Sequence, residues 1–418
     1  MLLATIIAFG LLLWLACLQG RNLLFPPALF LAVWLVTLVG LLLFGDPFYP
    51  VPDKAYYIYI VGAAAFTFGG ILALRLGSSP SEASPIDAPW RGSPSTYRAL
   101  DLTLLVLVIG LPFYWRQVSE SVSLDDLSTM FHSLRDEQLA RAEEGSSFNI
   151  IANLVGLSHF TAAAMFLESN ADPRRRWRAI VAVILAFIYG GMLGAKINGL
   201  SLVIILALIA SVQARRIKLS TVGATVALAV GFFSMGLLLV NFAYESFGGS
   251  SELVQKVAHG LRLYWLSGLV AFGVIALNPD AMPSTQQIDR FFWDTARSLG
   301  ANVTPPPKYA DFTNVSLTEY TNVYTIYFSY FKDYGWIGTV ILMSVMGALM
   351  TLLYKRAMSG KPIAMILFGH FGFSVIVLSI VAESGFSLLN THIKFIIFLL
   401  FMYWLLPAFD AWRETSRA

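Results

Sequence analysis

The sequence predicts an all-α, polytopic membrane helix bundle, and three observations carry that expectation. Hydrophobic residues make up 57% of the 418-residue chain and charged residues only 13%, against about 25% charged in ordinary soluble proteins. Eleven apolar stretches recur along it, most of them near the roughly 20 residues a helix needs to cross a ~30 Å hydrocarbon core. The Lys and Arg residues between those stretches fall on alternate sides, as the positive-inside rule requires of a multi-pass chain.

Taken in order, the expected spans are 2–19, 24–45, 55–74, 100–115, 148–168, 179–194, 197–213, 220–241, 336–354, 363–382 and 393–408. The first has no basic residue ahead of it and Arg21 behind it, the reverse of a secretory signal, so it reads as a retained helix. Cys17, the single cysteine, lies within it, which leaves no intramolecular disulfide. The sixth and seventh spans nearly touch at Gly194–Lys196 and form a tight hairpin. With the N-terminus outside, the inside loops collect Arg21, Arg75, Arg91, Arg98, Arg174, Arg175, Arg176, Arg178, Arg215, Arg216, Lys218, Lys355, Arg356, Lys361, Arg413 and Arg417. The inside segment 76–99 is rich in Ser and Pro and reads as disordered. The whole chain, 1–418, is one integral membrane domain with two large outside loops, 116–147 and 242–335.

The span interiors are poor in ionisable groups: His159 and His370 stand out, and Glu383 sits at the outer end of the tenth span. A lone histidine there reads as a helix–helix hydrogen-bond partner. Ion-coupled transporters place carboxylates or broken helices near mid-membrane, so this distribution argues for recognition or chemistry at the outer interface.

In the first outer loop, Leu124, Leu127, Phe131 and Leu134 recur at helical spacing and predict an amphipathic surface helix. Arg135 would face a lipid phosphate from it, with Glu137 alongside as a base; Glu137 and Arg141 also form an i,i+4 pair. In the second, His259 and Arg262 share a helical face just ahead of Tyr264 and Trp265. Aromatic faces pack on pyranose rings and Arg pairs bidentately with phosphate oxygens, while the same residues also suit ordinary interfacial anchoring. The apolar piece 261–277 can be read as a further span, but it is short and interrupted by Ser267, Gly268 and Gly273, which favours a re-entrant or interfacial segment. Downstream, a short helix capped at Ser284 carries an Arg290–Asp294–Arg297 ladder read as structural. The glycosylation sequons at 302–304 and 314–316 carry no weight alone. Arg135, Lys196, Arg262, Lys332 and Lys394, the last beside His392 and across from Glu383, are expected to ring one outer cavity. No Asp-x-Asp pair or ligand-spaced His pair predicts a metal, so fixed cations would stabilise a pyrophosphate.

Residues 321–340, TNVYTIYFSYFKDYGWIGTV, resemble the signature of the Wzy-type oligosaccharide repeat-unit polymerases, with Tyr334 where Phe is usual. RLYWLSGLVAF resembles that family's Tyr-Leu-x-Gly-Gly segment, with Ser267 at a usual Gly. GAKINGLSLVIILAL resembles its basic residue opening a span, with Lys196 where Arg is common. The resemblance covers roughly residues 130–340 and the topology. It implies a GT-C-like bundle of about 11 transmembrane helices in a bacterial inner membrane, N-terminus periplasmic and C-terminus cytoplasmic. It implies an O-antigen or exopolysaccharide polymerase moving a glycan from one polyprenyl-pyrophosphate carrier onto a hydroxyl of a second lipid-linked repeat. Membrane lipids surround it, a chain-length-determining co-polymerase is a common partner, and neither a cofactor nor nucleic acid is implied. Glu137, His259 and Asp333 are the candidate bases, and Tyr264, Tyr324 and Tyr330 would line the sugar path. An O-antigen ligase-like transferase and a lipid-linked oligosaccharide flippase are the competing readings.

Overall fold

In the computed structural model, residues 1–418 are described except 77–91, 121–149, 193–195, 219, 229, 232–249, 280–284, 286, 305, 307–309 and 417–418. Among the described residues the chain is all-helical apart from one two-residue hairpin, β1 (Thr313–Asn314) with β2 (Tyr320–Thr321), antiparallel. The helices are α1 (Leu2–Gly20), α2 (Pro26–Phe44), α3 (Asp53–Leu76), α4 (Pro94–Glu120), α5 (Ile150–Ala171), α6 (Arg176–Met192) and α7 (Lys196–Gln213). They continue with α8 (Ser250–Leu277), α9 (Arg290–Ser298), α10 (Tyr327–Met358), α11 (Pro362–Phe371), α12 (Leu389–Leu400) and α13 (Leu406–Thr415). Among the described residues, eight helical stretches are long and apolar enough to cross a membrane. The protein is a polytopic helical membrane protein.

The spine of the bundle is α3 against α10. Their backbones touch: a Cβ on Gly69 would come within 1.9 Å of the Ser344 carbonyl oxygen, and one on Gly347 within 2.0 Å of the Phe66 carbonyl oxygen. Lipid offers no hydrophobic drive between helices, so small residues that let backbones approach supply the packing. The two helices run parallel, because Lys355 at the end of α10 donates from Nζ to the carbonyl of Leu74 at the end of α3, at 3.2 Å.

Basic residues gather at that end. Arg75 donates to Gln19 Oε1 at 3.1 Å, Asn22 donates to the Arg215 carbonyl at 2.9 Å, and Arg175 and Arg178 both reach Asp101. The opposite end carries the α2–α3 loop, residues 45–52, and every segment that departs from the expected elements.

Two expected elements are corrected, and one helix is added. Within the expected outside loop 242–335, α8 occupies 28 residues and takes in the apolar piece 261–277. By length and composition α8 could span, yet Arg262 lies over the Phe48 ring at 5.8 Å and Gly273 packs on Val51 and Pro52. The eleven-residue interval is about 16 Å of helix, and both its ends meet the same loop. This stretch therefore runs across the end of the bundle. The ninth expected span, 336–354, begins where expected: α10 breaks at Gly335, where φ is 63° and ψ −157°, and a short helix from Tyr327 precedes the break. The tenth, 363–382, is helical only in its first half: residues 372–377 widen into a π-helix, 378–380 tighten into a 3-10 turn, and 382–384 are irregular. The short helix expected from Ser284 begins instead at Arg290.

Candidate functional site

The signature segment enters the bundle before it turns back. Ile326 N–H donates to the Ser379 carbonyl at 2.8 Å, and Ser379 Oγ accepts from Trp34 Nε1 at 2.9 Å. Trp34 lies near the middle of α2, so the turn that opens α10 and a broken helix meet well inside the protein. Irregular backbone at that depth is tolerated only where protein encloses it. Tyr327 follows, fully buried, its ring 5.0 Å from Trp34 and 5.4 Å from Tyr59. Its hydroxyl donates to the Tyr59 carbonyl at 3.3 Å, and Tyr59 donates in turn to the Leu269 carbonyl of α8 at 2.9 Å. The last turn before Gly335 then climbs to the loop end, where Lys54 sits 5.6 Å over the Phe331 ring.

This architecture assigns most signature side chains to scaffolding. Lys332 Nζ donates to the Pro279 carbonyl. Asp333 accepts from Thr285 N–H at 2.7 Å and from its hydroxyl at 2.5 Å, and Tyr334 donates to Asp289 at 3.0 Å. Together these three consecutive residues hold Pro279, Thr285 and Asp289. Asp333 is thus held as a cap, which corrects its assignment as a base.

Tyr324 donates to the Asp311 carbonyl at 2.6 Å, shares a 2.7 Å hydrogen bond with the Thr313 hydroxyl, and stacks on Phe328 at 4.2 Å. Burial pushes its phenol up to about 12. Tyr330 is fully buried and donates to Glu383 Oε1 at 3.3 Å. Neither ring offers an open face to a sugar, so their place on a sugar path is also corrected. Tyr264 is half-buried on α8.

Glu383 staples the broken helix. Oε1 accepts from the backbone N–H of Gly385 at 2.8 Å and Phe386 at 2.9 Å, while Oε2 accepts from Ser387 at 2.9 Å. Burial pushes the carboxyl up, and these backbone donors pull against that shift. Next to it, buried His392 approaches the Ser384 carbonyl through Nε2 at 2.8 Å and His370 Nε2 through Nδ1 at 2.8 Å. A carbonyl only accepts, so neutral His392 carries its proton on Nε2 and accepts from His370. His392 is therefore packed as a structural partner rather than turned toward a ligand. His159 joins α5 to α7 in the same manner, with Nε2 3.0 Å from the Asn198 carbonyl.

One expected pair does form a polar chain at the surface of the loop end. His259 and Arg262 share a face of α8, with Arg262 Nη2 3.0 Å from His259 Nδ1. His259 Nε2 is 3.0 Å from Glu319 Oε1. A guanidinium only donates, so Nδ1 must hold a lone pair and Nε2 the proton that faces Glu319. Arg262 Nε is buried with no hydrogen-bond partner.

Glu319 was not foreseen from sequence. It is set by a tight turn in which Ser316 Oγ accepts from the N–H groups of Thr318 at 3.3 Å and Glu319 at 3.0 Å. Val315 and Ser316 N–H donate to the Glu319 carbonyl, and Tyr49 N–H donates to the Val315 carbonyl at 2.8 Å. The Asn-Val-Ser sequon at 314–316 thus supplies a turn cap. Ser267 of α8 donates to Thr321 Oγ1 at 3.1 Å, joining helix and hairpin.

The expected ring of cations does not assemble among the described side chains. Arg262 bonds His259, Lys332 bonds Pro279, and Lys394 donates to Asn153 Oδ1 at 3.0 Å on the exposed side of α5. Each has its own local acceptor. Arg135 and Glu137 lie outside the described residues, and Lys196 is described only as the first residue of α7. No protein-family model matches this chain, and neither a curated protein nor a solved structure matches it.

Proposed function

We propose that this chain is a glycosyltransferase that polymerises polyprenyl-pyrophosphate-linked oligosaccharide repeat units at the periplasmic face of a bacterial inner membrane. The reading keeps a GT-C-like bundle, with the basic end toward the cytoplasm by the positive-inside rule. It needs no cofactor, and it leaves room for a chain-length-determining co-polymerase. The observation that supports it most is the Arg262–His259–Glu319 chain on a helix lying across the opposite end.

Glycan transfer from a lipid pyrophosphate needs two things at the anomeric carbon. The leaving group needs positive charge and hydrogen-bond donors as it departs. Arg262 brings both, with a buried Nε–H that has no hydrogen-bond partner among the described residues. The acceptor hydroxyl needs a base within hydrogen-bond reach. His259 supplies one, with a carboxylate on its far nitrogen. Half-buried Tyr264 lies on the same stretch of α8, and the buried Phe48 ring backs the Arg262 guanidinium.

A second reading also has a specific observation behind it. The irregular segment 322–326 and the broken helix 372–388 meet inside the bundle, and discontinuous helices are a mark of transporters. A flippase for lipid-linked oligosaccharide would use them as moving parts.

Surface-polysaccharide banding in a deletion strain separates the readings. A polymerase leaves a single repeat still attached to its acceptor and removes the long chains. Loss of every attached repeat would point instead to a flippase or a ligase-like transferase. Arg262→Ala is expected to reproduce the single-repeat phenotype at normal membrane abundance.

A further inference from the structure

We propose that Arg262 masks the base His259 in the resting protein, that pyrophosphate binding unmasks it, and that Glu319 is the positioning residue that fixes the imidazole for this exchange. The inference rests on the proposed glycosyltransferase reading and deepens it.

The geometry makes one side chain serve two acceptors in turn. Arg262 Nη2 sits 3.0 Å from His259 Nδ1, so the lone pair that would take a proton is already engaged. A pyrophosphate oxygen is the stronger acceptor for a guanidinium, since both partners are charged and the pairing is bidentate. Arg262 already has a buried Nε–H without a partner. Turning the planar group so that Nε and an Nη face one phosphate would supply both donors and release Nδ1.

His259 stays in register during that turn because its other nitrogen is held. Nε2 is 3.0 Å from Glu319 Oε1, and Glu319 is fixed by the Ser316-capped turn and by the Tyr49–Val315 link to the α2–α3 loop. The carboxylate keeps the proton on Nε2 and leaves Nδ1 as the acceptor. A Glu319 placed there for charge alone would not need a hairpin built around it.

The step then balances. The acceptor sugar's hydroxyl oxygen forms a bond to the anomeric carbon of the donor glycan. The bond from that carbon to the pyrophosphate oxygen breaks, and the electron pair leaves on the polyprenyl pyrophosphate, beside Arg262. The hydroxyl proton passes to His259 Nδ1, and the resulting imidazolium is held through Nε2–H by Glu319. Loss of that proton to water and departure of the lipid restore the masked state. An incoming acceptor alone finds no free base, so the exchange also couples base activity to donor occupancy.

Two measurements on the purified full-length chain test this. The first uses inorganic pyrophosphate and diethyl pyrocarbonate, which modifies unprotonated imidazole nitrogen, with the His259 peptide read by mass spectrometry. Pyrophosphate is expected to speed His259 modification several-fold in the wild type. In R262A the modification should already be fast and indifferent to pyrophosphate. Slower modification on adding pyrophosphate, or an R262A rate equal to the wild type without it, would overturn the masking.

The second compares extension of a defined lipid-linked repeat. E319Q is expected to lower kcat by about tenfold to a hundredfold with KM within about twofold, and E319A to lower it further. A merely structural Glu319 would reduce folded yield and leave kcat per folded molecule unchanged, which would overturn its positioning role. If the pyrophosphate effect on His259 appears and the wild type extends no repeat, the glycosyltransferase reading falls while the gated histidine stands.

Discussion

Residues 336–358 and residues 321–334 adjoin in the chain and satisfy their backbones by opposite means. In the first, regular helix packs against α3 with the backbones in contact at Gly69 and Gly347. In the second, Ile326 N–H borrows the Ser379 carbonyl, a short helix ends at a left-handed Gly335, and side chains hold Pro279, Thr285 and Asp289. The first arrangement asks only for small residues and apolar surface. The second asks for particular polar partners at each position, and such arrangements persist where the surroundings over-determine them. The contrast separates the part that makes a bundle from the part that shapes its loop end.

Enlarging the close contact breaks the regular half. Gly347→Leu puts a side chain where the Phe66 carbonyl lies, so α3 and α10 must move apart along their length. The expected outcome is loss of monodisperse folded protein in size-exclusion chromatography of the solubilised chain. A normal elution profile and thermal transition would show that the contact is not essential.

The irregular half should respond in smaller, more local steps. Glu383→Gln replaces the acceptor shared by three backbone N–H groups and Tyr330. Leaving such donors partly unsatisfied costs about 1–3 kcal/mol. The sharper signature is faster amide exchange confined to 381–388, with the exchange of 340–355 unchanged. Equal acceleration in both stretches would mean that the halves are one cooperative unit.

Tyr324→Phe is expected to be milder, about 1 kcal/mol below pH 10 from the lost hydrogen bonds. Because burial raises the phenol to about 12, its contribution is full below the ordinary tyrosine value of about 10. It is lost as pH rises from there through about 12. The difference in melting temperature between Tyr324→Phe and the wild type should therefore narrow across that window. A constant difference would place Tyr324 in a wetter setting.

The sequence was legible where one physical cause acts alone. Hydropathy and length locate α1, α2, α3 and α7 within a few residues, because burial in lipid is their dominant requirement. The basic residues foresaw which helix ends share a side, and Lys355 beside Leu74 and Asn22 beside Arg215 bear that out.

Where tertiary contacts decide, local pattern misled. Residues 327–334 look like the polar end of a loop, yet Tyr327 and Tyr330 are fully buried. Asp333 looked like a base because carboxylates near aromatics often are, and its engagement by Thr285, 48 residues away, has no local signal. Of the expected site, the His259–Arg262 pairing was visible because i,i+3 spacing on a helix is a local fact. Glu319, from a separate hairpin, was not. Lys332 and Lys394 likewise have neighbours that only the fold supplies.

The most direct test is chain extension in vitro: purified protein, a defined polyprenyl-pyrophosphate-linked repeat, EDTA present, and products resolved by length. The account expects a ladder of products from the wild type and none from Arg262→Ala of equal folded abundance. A ladder of the same length and rate from Arg262→Ala would contradict it.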